Sequence, residues 1–202
     1  MIKTIIFDFG DVFINLDKSA TEKAFFKLKN MPLAPEMQKI AQYYETGAIS
    51  TYDFIKTLKT TIPEASEKQI IDAWNAILLD FPEHRLEFLK KLVAKKQYKL
   101  ILLSNTNELH INWIKKHISF YMVFKSCFDA FYLSHEINLR KPEIDIFKFV
   151  LKQHQLNPEE TLFIDDTKEN TDTAATLGIH TWNNNPKTED IINLFTIKSD
   201  LF

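Results

Sequence analysis

Ile2-Lys-Thr-Ile-Ile-Phe7, followed at once by Asp8-Phe-Gly-Asp-Val12, is the stretch that decides the fold. The first six residues form an almost unbroken apolar run, rich in isoleucine and with little alternation. Such a run suits a central strand buried on both faces of a parallel sheet. Ligands of open α/β sheets bind beyond the carboxyl ends of the strands, so Asp8 stands where chemistry is expected. Gly10, in the turn that follows, is expected to let the backbone approach a ligand closely.

Similar apolar runs recur downstream of Pro82, at 99–103, 128–133, 161–164 and, after Gly178, at 179–182. Helical periodicities separate them, near 83–95, 108–118, 120–126, 143–154, 168–177 and 188–195. Strand and helix in alternation predict an α/β, doubly wound parallel sheet. The tail from Thr196 carries no readable signal. Between the first strand and Pro82 the pattern is helical throughout, with candidate helices at 19–29, 35–46, 51–60 and 67–79. Pro32, Pro35 and Pro63 punctuate the joints, Gly47 stops a helix, and Ser50 and Ser66 are placed to cap the next ones. The expected organisation is a core domain over 1–16 and 80–202, interrupted by a four-helix insertion over 17–79.

Composition narrows the function classes. The chain has 202 residues, 45% hydrophobic and 26% charged, which is ordinary for a soluble globular protein. A net charge of -2 implies no basic surface for nucleic acid. No apolar stretch reaches membrane-spanning length, and the first strand begins with no signal-peptide pattern before it. The single cysteine, Cys127, excludes an intrachain disulfide and a Cys-based zinc site. A cytoplasmic, reduced protein is expected.

Four polar clusters follow the strands: Asp8 after the first, Ser104-Asn105-Thr106-Asn107 after the second, Arg140-Lys141-Pro142 beyond the third, and Asp165-Asp166 after the fourth. Taken singly, each has a plain structural reading, as a turn residue, a helix cap or a solvated loop lysine. If the strands are parallel, all four converge on one edge of one sheet. Asp8-Phe9-Gly10-Asp11-Val12, Ser104-Asn105, Lys141-Pro142 and Asp165-Asp166 resemble, in order, motifs one to four of the haloacid dehalogenase (HAD) superfamily. The helical insertion resembles the cap of its first subclass. The resemblance spans nearly the whole chain and implies a Rossmann-like core and magnesium-dependent phosphoryl transfer through an aspartyl-phosphate.

The residue chemistry agrees with that implication. A carboxylate can attack phosphorus and divide one difficult displacement into two, which makes Asp8 the candidate nucleophile. Asp165 and Asp166 add negative charge beside it, which is costly unless a cation neutralises it. Magnesium suits carboxylates, retained waters and a phosphate oxygen. Asp8, the Gly10 carbonyl and one or both of Asp165 and Asp166 are the candidate ligands, with Asp166 favoured as the direct one. Ser104 and the amide of Asn105 can donate to phosphate oxygens. Lys141 can balance the carboxylates and the charge that develops in transfer. Asn170 resembles a position that often follows the paired acids, as a supporting residue at most.

At one position the chain departs from the family pattern. Most phosphatases of the superfamily carry a second aspartate two residues after the nucleophile, where this chain has Gly10. Losing such an acid–base group commonly costs about 10²–10⁴-fold in rate. Asp11, one place on, is a candidate replacement, although a turn residue or a contact to the cap is the commoner role there. The form with glycine resembles the branch of bacterial α-glucose-1-phosphate phosphatases. A small sugar phosphate is therefore the leading substrate class, with an anomeric phosphate suffering least from a missing acid.

Two other readings compete: a binder of phosphorylated metabolites with little turnover, and a 2-haloacid dehalogenase, which needs no metal and lacks the paired acids. In the cap, Tyr43, Tyr44, Trp74 and Asn75 are candidates for choosing the substrate, though Trp74 lies on an apolar stripe and fits bundle core better. His110, His117 and His135 show no metal-ligand spacing. The partner expected is a small phosphorylated metabolite, with no nucleic acid and no membrane.

Overall fold

The computed structural model describes residues 1–29 and 36–202. Five parallel strands, β1 (Thr4–Phe7), β2 (Lys99–Ser104), β3 (Ala130–Leu133), β4 (Thr161–Asp165) and β5 (His180–Asn183), form one sheet in the order β3-β2-β1-β4-β5. The chain builds outward from β1 to β3 and then returns to the other side of β1 for β4 and β5. The strand order therefore reverses at β1, the switch point where such sheets bind ligands. In register, Phe7 lies between Leu102 and Ile164. Asp8 consequently emerges beside the ends of β2 and β4.

Residues of β1 alternate between two cores, as strand geometry requires. Ile5 and Phe7 join Leu100, Leu102, Leu162 and Ile164 on one face. Ile6 joins Ile101, Leu103 and Phe163 on the other. Helices α5 (Glu83–Lys95), α6 (Glu108–His117), α7 (Tyr121–Ser126), α8 (Ser134–Ile137), α9 (Ile144–His154), α10 (Lys168–Ala175) and α11 (Leu194–Ile197) complete this α/β layer structure.

Among the described residues, four helices stand between β1 and α5: α1 (Ala20–Lys29), α2 (Glu36–Glu45), α3 (Thr51–Thr61) and α4 (Glu67–Asn75). They carry a third apolar cluster, in which Phe25, Phe54, Leu58, Ile70 and Ala73 are buried. Ser50 accepts a hydrogen bond from the Asp53 amide to cap α3, and Ser66 forms a reciprocal capping box with Gln69 on α4. Pro32, Pro35 and the expected start of a helix at 35 lie outside the described residues. Gly47 has φ +68°, and a Cβ there would lie 2.3 Å from the His135 carbonyl oxygen. Both the backbone sign and the close approach to the sheet domain demand glycine.

Several expected boundaries shift. The fourth helix ends at Asn75 rather than near 79, because residues 77–79 leave it to run beside 15–17. There Asp17 N donates to Ile77 O (2.9 Å) and Leu79 N to Asn15 O (3.0 Å). The two connections to the helical insertion thus form a paired crossing. In place of a helix at 188–195, a 3-10 turn (Ile191–Asn193) leads into the short α11. The unreadable tail closes the bottom of the sheet: Phe202 packs on Tyr98 and Phe195 with ring centroids 5.5 and 4.6 Å away. Leu201 O also accepts from Ile2 N (3.3 Å), upstream of the observed start of β1.

Candidate active site

Lys141 is the pivot of the site. Its side chain is almost wholly buried (1% exposed), with Nζ 2.8 Å from Asp8 Oδ1 and 2.6 Å from Asp165 Oδ2. Burial of an ammonium group is costly unless it is paired and hydrogen-bonded, and here two carboxylates hold it charged; its pKa is raised accordingly. Its backbone is clamped by Asn105, whose Oδ1 accepts from Lys141 N (2.9 Å) and whose Nδ2 donates to Lys141 O (2.8 Å). The Asn105 side chain thus positions Lys141, a task the sequence did not reveal. The Asn105 amide remains, with Ser104, as a candidate donor to a ligand.

Asp165 and Asp166 separate in role through alternation at the end of β4. Asp165 is fully buried, and its oxygens accept from Lys141 Nζ, Thr167 N (2.8 Å) and Asn170 Nδ2, which lies 3.0 Å from each oxygen. Asn170 thus supports Asp165, at the position that the family resemblance implied. Asp166 instead lines a cavity of about 210 Å³ together with Asp8, Gly10, Ser104, Asn105 and Lys141. Asp8, Asp165 and Asp166 each offer an oxygen within 4.8 Å of the others.

The electrostatics are crowded. Burial pushes the Asp8 carboxyl up to about 7, opposed by Lys141 and reinforced by the charges of Asp165 and Asp166. Burial also raises Asp166, against the pull of Lys18. Lys18, which the sequence gave no reason to single out, reaches from the insertion's first connection to ion-pair with Asp166 and, at 3.2 Å, with Asp11. Four carboxylates against two ammonium groups leave two negative charges unmatched. One divalent cation would match them. The set is all oxygen, near one cavity, and suits magnesium with its retained waters.

Position 10 is shaped by space. Gly10 does not take a positive φ; that conformation falls to Asp11, at φ +53°. A Cβ on Gly10 would lie 2.7 Å from Leu16 Cδ1, so Leu16 occupies the room that a side chain at this position would need. The Asp11 carboxylate accepts from Leu16 N (3.0 Å) and pairs with Lys18. It is not among the groups that line the cavity.

The expected cap residues prove to be elsewhere. Tyr43, Tyr44, Trp74 and Asn75 do not line the cavity; the insertion and its connections contribute Leu16, Lys18, Glu45, Ile77 and Leu78 instead. Tyr43 is exposed, while Tyr44 and Asn75 are buried. Trp74 packs against the insertion's own core, donates from Nε1 to Asn107 Oδ1 (3.2 Å) and stacks on His110 at 5.3 Å between centroids. His110 borders the cavity, fixed between Asn107 and the Trp74 carbonyl, and burial lowers its pKa to about 4. His117 stacks on Trp113, and His135 contacts the Thr106 carbonyl. No signal short of the fold could have found Leu16, Lys18 or Glu45, since helix packing and the crossing connections bring them there.

A five-stranded parallel sheet with acids, a lysine and a serine at its switch point defines a hydrolase of the HAD type. The model of the haloacid dehalogenase-like hydrolases matches residues 2–178. The chain belongs to that family. It is 31% identical over 190 residues to a D-ribitol-5-phosphate phosphatase of Bacteroides thetaiotaomicron, covering 90% of this chain and 91% of the relative. A HAD-family enzyme of the same organism, crystallised with magnesium and inorganic phosphate, superposes with a TM-score of 0.84 at 36% identity, over 96% of this chain and 100% of that one. A HAD-like hydrolase from Porphyromonas gingivalis gives a TM-score of 0.84 at 29% identity, over 98% and 97% of the two chains. Among the described residues, no helix is long and apolar enough to cross a membrane.

Proposed function

We propose that Asp8 is the nucleophile of a phosphatase that hydrolyses a phosphorylated sugar or polyol through an aspartyl-phosphate. The coarser statement stands without that detail: the chain is a phosphoric monoester hydrolase of a phosphorylated metabolite, and its cofactor is magnesium. The observation that carries the finer reading is the buried Lys141 ammonium bridging Asp8 (2.8 Å) and Asp165 (2.6 Å) in the lining of a cavity that Ser104 and Asp166 share. The polyol phosphate in the name of the Bacteroides relative supports the substrate class.

Asp8 attacks phosphorus as the bond to the leaving oxygen breaks, and water then releases phosphate from the acyl-phosphate. Lys141 pulls against the burial that raises the Asp8 carboxyl and offers positive charge where transfer concentrates negative charge. Ser104 and the Asn105 amide donate to phosphate oxygens. Asp166, with Asp8 and the Gly10 carbonyl, is the set that would hold the metal. Asp165 is occupied with Lys141, Thr167 and Asn170, so it orients Lys141 and contributes charge to the metal site. Magnesium, when bound, neutralises the carboxylates and screens the phosphate, so that the two anions can meet.

Asp11 serves the turn and Lys18 and is not placed to protonate a leaving group. A purified-protein screen of phosphate esters with magnesium, comparing wild type with Asp8→Asn and Asp11→Asn, tests these assignments. Hydrolysis lost in the first variant, and reduced less than about tenfold in the second, is the expected pattern. Including anomeric and primary phosphates separates the two leaving-group classes. Comparable loss in both variants would restore Asp11 as the acid.

A further inference from the structure

Glu45 ends α2 and lines the same cavity as Asp8 and Lys141, on the insertion's side. Among the described residues its contact with a cation is a single one, Arg140 Nη2 at 3.3 Å from Oε2. A carboxylate can accept about four hydrogen bonds, so most of that capacity is unfilled among the described residues. Arg140 Nε beside it is buried without a partner. Leu16, Ile77 and Leu78 supply apolar wall around the same space.

We propose that Glu45 selects the substrate, accepting hydrogen bonds from hydroxyl groups on the carbon chain and excluding molecules with a second anionic group. The favoured class is thus a singly phosphorylated, polyhydroxylated metabolite; a sugar acid phosphate or a bisphosphate is rejected. The proposal rests on the phosphatase reading and deepens it. In about 210 Å³, below the usual range of about 300–1,000 Å³ for ligand pockets, a metabolite seated at the Asp8 end meets Glu45 too. Hydroxyl groups donate, so they fit the free lone pairs of the Glu45 carboxylate that lines the cavity. A second anion there would face the half-buried Glu45 carboxylate, and the two like charges would repel.

The experiment compares kcat/KM of wild type and Glu45→Gln on a pentitol 5-phosphate, pentyl phosphate and a phosphorylated pentonic acid. Glutamine keeps the volume and an acceptor for Arg140, and a melting curve checks that the fold persists. The pentitol-to-pentyl ratio is expected to fall about tenfold or more in the variant, and the pentonic acid to gain relative to the pentitol. Equal losses on all three esters, or unchanged ratios, would overturn the proposal. Calorimetry on Asp8→Asn with magnesium gives a readout independent of turnover. The pentitol phosphate should bind more tightly than inorganic phosphate, and adding Glu45→Gln should remove that surplus. If wild type hydrolyses no ester yet the surplus depends on Glu45, the phosphatase reading fails and selection by Glu45 stands. If the enzyme is active and the surplus is indifferent to Glu45, selection by Glu45 fails and the phosphatase reading stands.

Discussion

At the rim of the sheet, Lys141 and Lys18 are hemmed in by Asp8, Asp11, Asp165 and Asp166. A short way along, where α4 meets α6, the bonds around Trp74 are neutral: an indole N–H to Asn107, an imidazole to a carbonyl, and ring on ring. Each arrangement satisfies its polar groups, but only the rim keeps net charge buried. Desolvating charge costs more than ion pairing commonly returns, so the rim is retained for chemistry while the joint holds the insertion in place. Substitutions should therefore separate activity from stability in opposite directions at the two places.

The sharpest contrast is expected at Asp8. Asp8→Asn should lower hydrolysis by at least ~10⁴-fold while the melting temperature without metal stays level or rises, because a neutral amide replaces a carboxyl that burial disfavours. A clear drop in melting temperature would break the comparison. Lys141→Met should harm both properties, cutting kcat by roughly 10³-fold and stability by about 3–5 kcal/mol. It strands Asp8 and Asp165 without their cation, and denaturant titration measures the loss.

Smaller effects refine the picture. Lys18→Met removes a cation that competes for Asp166, so calorimetric magnesium affinity should rise roughly 5–10-fold; weaker binding would mean that Lys18 helps to build the metal site. At the joint, Trp74→Phe forfeits one hydrogen bond to buried Asn107, costing about 1–2 kcal/mol with kcat/KM changed less than about threefold. His110 gives the faintest signal. Its pKa is lowered to about 4 in the fold, against about 6.5 when unfolded. Between those values the unfolded chain binds the extra proton, so the stability due to neutral His110 is present above about pH 6.5 and lost as pH falls toward 4. The gap in melting temperature between wild type and His110→Asn should accordingly narrow from pH 7.5 to 4.5.

How far each region could be read in advance follows from its construction. Asp8, Ser104, Lys141 and the Asp165-Asp166 pair were legible because each follows an apolar strand or lies just beyond one, and parallel strands deliver their ends to one edge. The division of labour between Asp165 and Asp166 was not, since it depends on which one faces Lys141 and Asn170. Tyr43, Tyr44, Trp74 and Asn75 looked suited to a substrate by residue type, yet aromatic rings serve a bundle core equally well, and Trp74 went to the joint. The tail was silent because its one aromatic residue, Phe202, forms no periodic pattern and finds its partner on Tyr98 only after the sheet exists.

By itself the sequence determined the parallel sheet, the helical insertion and the order of the polar groups along one edge, because period and strand-end placement are local properties of a chain. Tertiary structure alone decided that Leu16 fills the space at Gly10, that Lys18 answers Asp166, and that Glu45 rather than Tyr43, Tyr44 or Trp74 borders the cavity. Those choices depend on how two crossing connections set four helices against the sheet, and residues so far apart in the chain announce no such meeting.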